Sequence, residues 1–129
     1  MGSRVHRPMR VMIVEDDAAI ALDLAGLVEE FGHEVVGIAE SAETARELSA
    51  ETCPDLALVD VQIRGETHGA EVATALRERD EVRTLFLTAY TDPATRDRAQ
   101  ASWPLGLISK PVRPTDLRTA LRMAKSAIS

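Results

Sequence analysis

Polar side chains follow four apolar runs of this chain, each at the point where a buried strand would end. They are Glu15 and Asp16 after Val11–Val14, Asp60 after Leu56–Val59, Thr88 after Leu85–Leu87, and Lys110 after Leu105–Ile108. If these strands are parallel, acids, a hydroxyl and an ammonium group lie on one rim of the sheet, which is where open α/β sheets bind ligands. Such a set is suited to magnesium-assisted transfer of a phosphoryl group onto a carboxylate.

The adjacent acids indicate a metal site more strongly than a structural role. A single acid at the start of a helix usually stabilises the helix dipole, and Asp17 fits that role. Two acids at one strand end, with Asp60 on the neighbouring strand, would repel one another unless a cation neutralised them. Magnesium suits a site that is built only of oxygen ligands.

Asp60, Lys110 and Thr88 each have an ordinary structural explanation when they are taken singly. They could be a turn residue, a solvated surface lysine and a strand or cap residue. Together at strand ends they have a chemical explanation. Asp60 would be a nucleophile that forms an acyl phosphate, Lys110 would contact phosphate oxygens as a point charge, and the Thr88 hydroxyl would donate to a phosphoryl oxygen.

Composition is typical of one soluble globular domain, with 129 residues, 45% of them hydrophobic, and a net charge of −6. The negative charge and the scattered Arg and Lys residues argue against nucleic acid as a direct partner. No apolar run reaches the roughly 20 residues that a membrane span needs. The lone Cys53 excludes an internal disulfide and favours the cytoplasm, and we predict that its thiol is buried because no basic residue stands beside it.

Five apolar runs, the four above and Val35–Ala39, alternate with helical patterns and predict an α/β fold. Their continuous apolar character suits strands covered on both faces. Helices are predicted over Asp17–Gly32, Ser41–Glu51, Gly69–Arg79, Pro93–Ser102 and Thr115–Ile128. The pattern predicts a five-stranded parallel sheet, doubly wound and flavodoxin-like, with strand order 2-1-3-4-5. We treat residues 1–8 as an N-terminal extension and residues 9–129 as one domain.

The helix predicted over Pro93–Ser102 stands apart because alanines are its only apolar residues. Methyl groups bury little area, so we expect this helix to be short and loosely attached. Trp103, which follows it, is the only tryptophan and is predicted to pack over the edge of the sheet.

The four motifs together resemble those of the receiver domain of bacterial two-component response regulators. They are Val14-Glu15-Asp16-Asp17, Leu58-Val59-Asp60-Val61, Leu87-Thr88-Ala89 and Ser109-Lys110-Pro111, and the resemblance covers about residues 9 to 128. It implies that Asp60 is the phosphoacceptor, and that Mg2+ is held by Glu15, Asp16, Asp60 and the backbone carbonyl of Gln62. It also implies that Thr88 is the switch hydroxyl, that Lys110 contacts the phosphate, and that Ala89 belongs to the same phosphate-binding group.

The resemblance further implies partners. Receiver domains take phosphate from a histidine kinase or a histidine phosphotransfer protein, catalyse their own phosphorylation and dephosphorylation, and act on a downstream protein as signalling modules. We expect the output surface at Thr91–Pro104 with the fifth strand and the last helix, and the same surface is a candidate for a homodimer. Since no output domain follows Ile128, we expect a stand-alone receiver or one cut from a longer protein.

One departure from the family keeps a second interpretation open. Leu107 stands where the family often has an aromatic switch residue, and Tyr90 is a candidate substitute. This favours the alternative of a phosphorylation-independent interaction domain that has the same fold. A magnesium phosphatase is a third interpretation, but it would need a general acid near the nucleophile, where Gln62 stands.

Overall fold

Five parallel strands form one sheet in the order β2-β1-β3-β4-β5, which confirms the predicted fold. The computed structural model describes residues 7–62, 69–89 and 93–128. Along the chain the elements are β1 (Arg10–Val14), α1 (Ala18–Glu30), β2 (Glu34–Ala39), α2 (Ala42–Thr52), β3 (Leu56–Asp60), α3 (Gly69–Asp80), β4 (Arg83–Thr88), α4 (Pro93–Gln100), β5 (Gly106–Ser109) and α5 (Pro114–Ile128). Among the described residues, no helix is both long and apolar enough to cross a bilayer.

Alternate side chains of the strands build a separate hydrophobic core on each face of the sheet. One core packs α1 and α5 against the sheet through Leu24, Val28, Leu117 and Leu121. The other packs α2 and α3 through Ala45, Val72 and Leu76, and it surrounds Phe86 of β4. The central strands are therefore apolar on both faces, which explains their continuous hydrophobic runs.

The helix boundaries follow from local capping. The Asp17 carboxylate accepts a hydrogen bond from the Ile20 N–H at 3.1 Å and begins α1. Ser41 and Thr44 form a capping box at the start of α2. Gly32 follows the end of α1 with φ +89°, a left-handed conformation in which glycine carries no steric cost. The predicted helix starts at Asp17 and Ser41 and the predicted helix end at Gly32 thus coincide with capping residues.

Two side chains differ from the prediction. Cys53 is exposed, and it ends α2 in a left-handed conformation with φ 49°. Trp103 is 72% exposed and does not cover the sheet edge. Its own left-handed conformation, with φ 59°, follows the end of α4. In both cases the backbone at a helix end decided the exposure of the side chain.

The fourth strand and the fourth helix differ in length from the apolar pattern. β4 begins at Arg83, ahead of the run Leu85–Leu87, because Thr84 is buried within the strand although it is polar. α4 ends at Gln100 and is the shortest of the described helices. Ala99 is buried and Ala94 is exposed, so α4 contributes little to the core.

Candidate functional site

The strand ends bring four of the predicted residues to one edge of the sheet. Val14 pairs with Val59, so Glu15 and Asp60 follow directly on neighbouring strands. Thr88 ends the next strand, β4, and the backbone N–H of Lys110 donates to its carbonyl at 2.8 Å. Acids, a hydroxyl and an ammonium group therefore meet at the carboxyl ends of parallel strands, where this class of sheet binds ligands.

Asp60 is buried and held by two hydrogen bonds. Its Oδ2 accepts from the Lys110 ammonium at 2.7 Å, and its Oδ1 accepts from the backbone N–H of Gln62 at 2.9 Å. The side chain is only 7% exposed. These hydrogen bonds fix the carboxylate in place, while a small part of the side chain remains exposed to solvent.

Lys110 crosses the end of β4 to reach the acids. Strands lie about 4.8 Å apart, so the Lys110 and Asp60 side chains, joined by their hydrogen bond, together bridge the two strand spacings between β5 and β3. Its ammonium also contacts Glu15 Oε1 at 3.4 Å. Burial lowers the pKa of Lys110, but the hydrogen bond and the charge of Asp60, with the charge of Glu15, outweigh this effect and raise the pKa above its ordinary value.

Glu15 is the most deeply buried charge of the site, with a side chain 1% exposed. Burial, together with the charge of Asp60, raises its pKa to about 7 against the opposing effects of the Asp17 N–H and the Lys110 ammonium. The Asp17 N–H donates to Glu15 Oε2 at 3.1 Å, and the Glu15 N–H donates to the Ala39 carbonyl at 2.9 Å. Backbone hydrogen bonds thus hold Glu15 at a position where burial makes its ionised form unfavourable.

The three acids are placed where they could hold a divalent cation. One carboxylate oxygen each from Glu15, Asp16 and Asp60 lies within 4.8 Å of the others. A hard cation such as Mg2+ binds oxygen ligands of this kind. A cation bound here would oppose the effect of burial on Glu15 by favouring its deprotonated form.

The other predicted residues lie around this cluster. Thr88 is buried, whereas Ala89 and Gln62 are exposed beside it. Leu107 is partly buried and packs against the core of α2 and α3. Tyr90 and the first part of the Thr91–Pro104 surface lie outside the described residues.

Gly69 is a site residue that the sequence interpretation missed. It begins α3, and its N–H donates to the Val61 carbonyl at 3.0 Å. A Cβ at this position would lie 2.4 Å from the Asp60 carbonyl oxygen. Only glycine lets the helix approach the backbone of Asp60 so closely. A glycine that opens a predicted helix just after the Asp60 loop was the available signal.

The comparison with known families decides what this site belongs to. The family described as the response regulator receiver domain matches residues 11–122, which includes every residue of the site. The chain is a response regulator receiver domain. The predicted membership of this family, and with it a role in two-component signalling, is confirmed.

Relatives and solved structures agree with this assignment. The receiver is 34% identical to the phyllosphere-induced regulator PhyR of Methylorubrum extorquens, over 88% of the chain and 42% of that protein. It is 33% identical to the polar-differentiation response regulator DivK of Brucella anthropi, over 81% of the chain and 86% of that protein. It superposes with TM-score 0.88 and 31% identity on a signal receiver domain of a diguanylate cyclase from Desulfovibrio desulfuricans, covering 95% of this chain and 97% of that one.

Several relatives are longer than this receiver. The chain spans 42% of PhyR and 58% of the transcriptional regulatory protein PdtaR of Mycobacterium tuberculosis, to which it is 33% identical over 92% of its own length. Those whole proteins therefore contain segments that have no counterpart in the residues compared.

Two glycine substitutions should change stability in opposite directions. We expect Gly69→Ala to lower the free energy of unfolding by about 1–3 kcal/mol, because the added Cβ must push α3 away from the Asp60 backbone. Gly26→Ala is the matched control in the interior of α1, where a Cβ meets no atom within 4 Å. It should raise the free energy of unfolding by up to about 1 kcal/mol through helix propensity. Urea unfolding measures both, and wild-type stability in Gly69→Ala would contradict the close approach.

Proposed function

We propose that this receiver takes a phosphoryl group from a phosphohistidine onto Asp60 and changes partner binding as a result. An oxygen of the Asp60 carboxylate attacks phosphorus, the bond from phosphorus to the histidine nitrogen breaks, and the imidazole leaves with that electron pair. Hydrolysis of the acyl phosphate later returns the carboxylate. The domain catalyses both steps on itself and acts as a signalling module of the cytoplasm.

The placement of Asp60 carries this proposal. It is a buried carboxylate at a strand end, 2.7 Å from an ammonium group and one strand away from a buried hydroxyl. In this proposal Lys110 contacts the phosphoryl oxygens as a fixed charge, and Thr88 donates its hydroxyl to one of them. Ala89 belongs to the same group, because it follows Thr88 on the open side of the site.

Mg2+ is the cofactor that we propose for the acidic cluster. Glu15, Asp16 and Asp60 would hold it through carboxylate oxygens, and Gln62 through its backbone carbonyl. When bound, the ion supplies positive charge that offsets the carboxylates and the oxygens of the phosphoryl group. The protein contributes the burial and the backbone hydrogen bonds that hold these acids together.

Phosphorylation should be confined to Asp60 and should require a divalent cation. Incubation with acetyl phosphate and MgCl2 should add one phosphoryl group by intact mass, and Asp60→Asn or excess EDTA should abolish the addition. Asp97→Asn, an exposed acid on α4, is the matched control and should react like the wild type. An unmodified wild type would instead favour the phosphorylation-independent interaction domain to which Leu107 points. Phosphate on another residue, or a full rate in chelator, would also contradict the proposal.

The phosphohistidine donor has a docking groove next to the site. Ile20, Leu24 and Leu27 of α1 face Pro111 and Val112 across a mostly apolar cavity of about 520 Å³, and Lys110 lies in its wall. Ile20 is 36% exposed there. A groove that leads from apolar side chains to Lys110 suits a helix of a histidine kinase or phosphotransfer protein that presents its phosphohistidine.

Substitution in this groove should separate protein donors from small donors. We expect Ile20→Asp to slow transfer from a phosphorylated histidine kinase by about tenfold or more, because it places a charge in an apolar contact. Its rate with acetyl phosphate should not change. Leu22→Asp, on the same helix and 66% exposed but outside the groove, is the control and should leave both rates unchanged. Equal slowing of Ile20→Asp with both donors would contradict docking at this groove.

The output surface that we propose comprises α4 with the segment to Pro104, β5 and α5. Trp103 and Met123 are 72% and 66% exposed there, and a groove of about 480 Å³ runs between β5 and α5 past Leu105, Leu107 and Ala120. One ion pair, Arg98 with Glu71, joins α4 to α3. Because α4 is held by so little, a contact at Thr88 could shift its population at small cost, and the exposed groove would then receive a downstream protein or a second copy of this chain.

Trp103 emission should report this response. Since Trp103 is the only tryptophan, addition of beryllofluoride and Mg2+ should change its emission, with a shift to shorter wavelength if a partner buries the ring. Thr88→Ala and Lys110→Ala should bind the phosphate mimic and lose the change. A dependence of the change on protein concentration distinguishes a homodimer from movement within one chain. Unchanged emission in a wild type saturated with beryllofluoride would rule out this surface.

A further inference from the structure

A second concave site lies between the end of α1 and the second half of α5. α1 begins beside Asp60 and ends near the start of β2, so this site is at the opposite end of the sheet from the phosphoacceptor. Phe31 and His33 on one side, and Leu121 with three basic residues of α5 on the other, enclose a cavity of about 630 Å³. Nothing in the proposed phosphoryl transfer uses it.

The basic residues of α5 are concentrated on this cavity. Arg118, Arg122 and Lys125 recur at helical spacing, so they share one face of the helix, and all three line the cavity. In the described part of the chain, the ion pairs within 4 Å involve other cations. The cavity is therefore a local excess of positive charge in a chain of net charge −6. The fold places this basic face of α5 beside Phe31 and His33.

Part of the cavity lining is apolar, and this distinguishes the cavity from an ordinary basic surface that is fully solvated. Leu121 is 1% exposed, and the partly buried Phe31 packs against the same core. His33 Nδ1 accepts a hydrogen bond from the Met9 N–H at 3.1 Å, so the neutral ring carries its proton on Nε2 and keeps a donor there. Burial, and then the charge of Lys125, lowers the pKa of His33, which is consistent with uncompensated positive charge at this place.

We propose that this cavity binds a small organic phosphate of the nucleotide class. Arg118, Arg122 and Lys125 would contact the phosphate oxygens, since guanidinium groups pair with phosphate through two parallel hydrogen bonds. Phe31 and Leu121 would contact the apolar or ring portion of the ligand. The volume lies within the range of small-molecule sites and exceeds what inorganic phosphate alone would fill.

The surroundings of the cavity favour a small anion over a large one. Among the described residues, Glu30 is the acid in its lining, and Glu29 and Glu34, which adjoin lining residues in the chain, are exposed. An extended polyanion such as nucleic acid or an anionic membrane would meet these carboxylates as well as the net negative charge of the domain. A small phosphate ester can contact the three cations while the acids remain in solvent.

The test is a titration with ATP, followed by amide spectra of the 15N-labelled chain in EDTA at constant ionic strength. EDTA keeps metal-bound nucleotide away from the acidic cluster. We expect saturable shifts at residues 31–33 and 118–125, and Arg122→Gln or Lys125→Gln should each weaken binding by about tenfold. Arg113→Gln, which removes an exposed charge just before the start of α5 and outside the lining, should bind like the wild type. Asp60→Asn should also bind like the wild type, so the result is independent of the proposed phosphorylation.

Parallel titrations with adenosine, inorganic phosphate and anionic vesicles complete the test. Adenosine should bind far more weakly than ATP, since it lacks the phosphates, and inorganic phosphate should bind more weakly because it lacks the ring. Absence of saturation at millimolar ATP, or equal weakening in Arg113→Gln, would overturn the proposal. Equal affinity for ATP and inorganic phosphate would refute the organic ligand, and preferential binding of vesicles would replace it with a lipid surface.

Discussion

The contact between the Lys110 ammonium and the carboxylates of Asp60 and Glu15 is the interaction on which the site depends. Two nearly buried acids side by side are unfavourable, and the pKa of Glu15, raised to about 7, expresses that cost. The Lys110 ammonium, which follows β5, offsets part of this cost through its contacts with both carboxylates. The cluster therefore holds together only while the strand ends stay in register and the backbone keeps its hydrogen bonds to the acids.

Because of this constraint, the elements that carry the site are closely packed, whereas other elements are packed more loosely. The central strands are apolar on both faces and are packed by α1 and α5 on one side and by α2 and α3 on the other. Gly69 lets α3 begin against the backbone of Asp60 itself. In contrast, among the side chains of α4 that the structure describes, Ala99 is buried and Arg98 pairs with Glu71. Local stability therefore differs between parts of the fold, and the elements that move in a conformational change are drawn from the weakly packed parts.

The two ends of α1 and α5 present different chemistry. Near the carboxyl ends of the strands, α1 borders an apolar groove with Pro111 and Val112, and Lys110 lies in its wall. At the far end, the same helices border a cavity with three basic side chains. Because the helices are amphipathic along their whole length, one face packs on the sheet throughout, and what differs between the ends is the residues at the border between the helices.

The sequence by itself determined the alternation of strands and helices, the helix starts at Asp17 and Ser41, and the types of residue at the strand ends, because the apolar period and capping chemistry are local properties. The strand order followed from the doubly wound fold class that this alternation indicates. Helix lengths and the burial of Thr84 depended on neighbours that no local window contains. The exposure of Cys53 and Trp103 depended on left-handed backbone at two helix ends. Only the tertiary structure brought Lys110 to Asp60, closed Gly69 on the Asp60 carbonyl and gathered Arg118, Arg122 and Lys125 beside Phe31 and His33. Each of these is a contact between distant segments, and its distance follows from packing across the sheet.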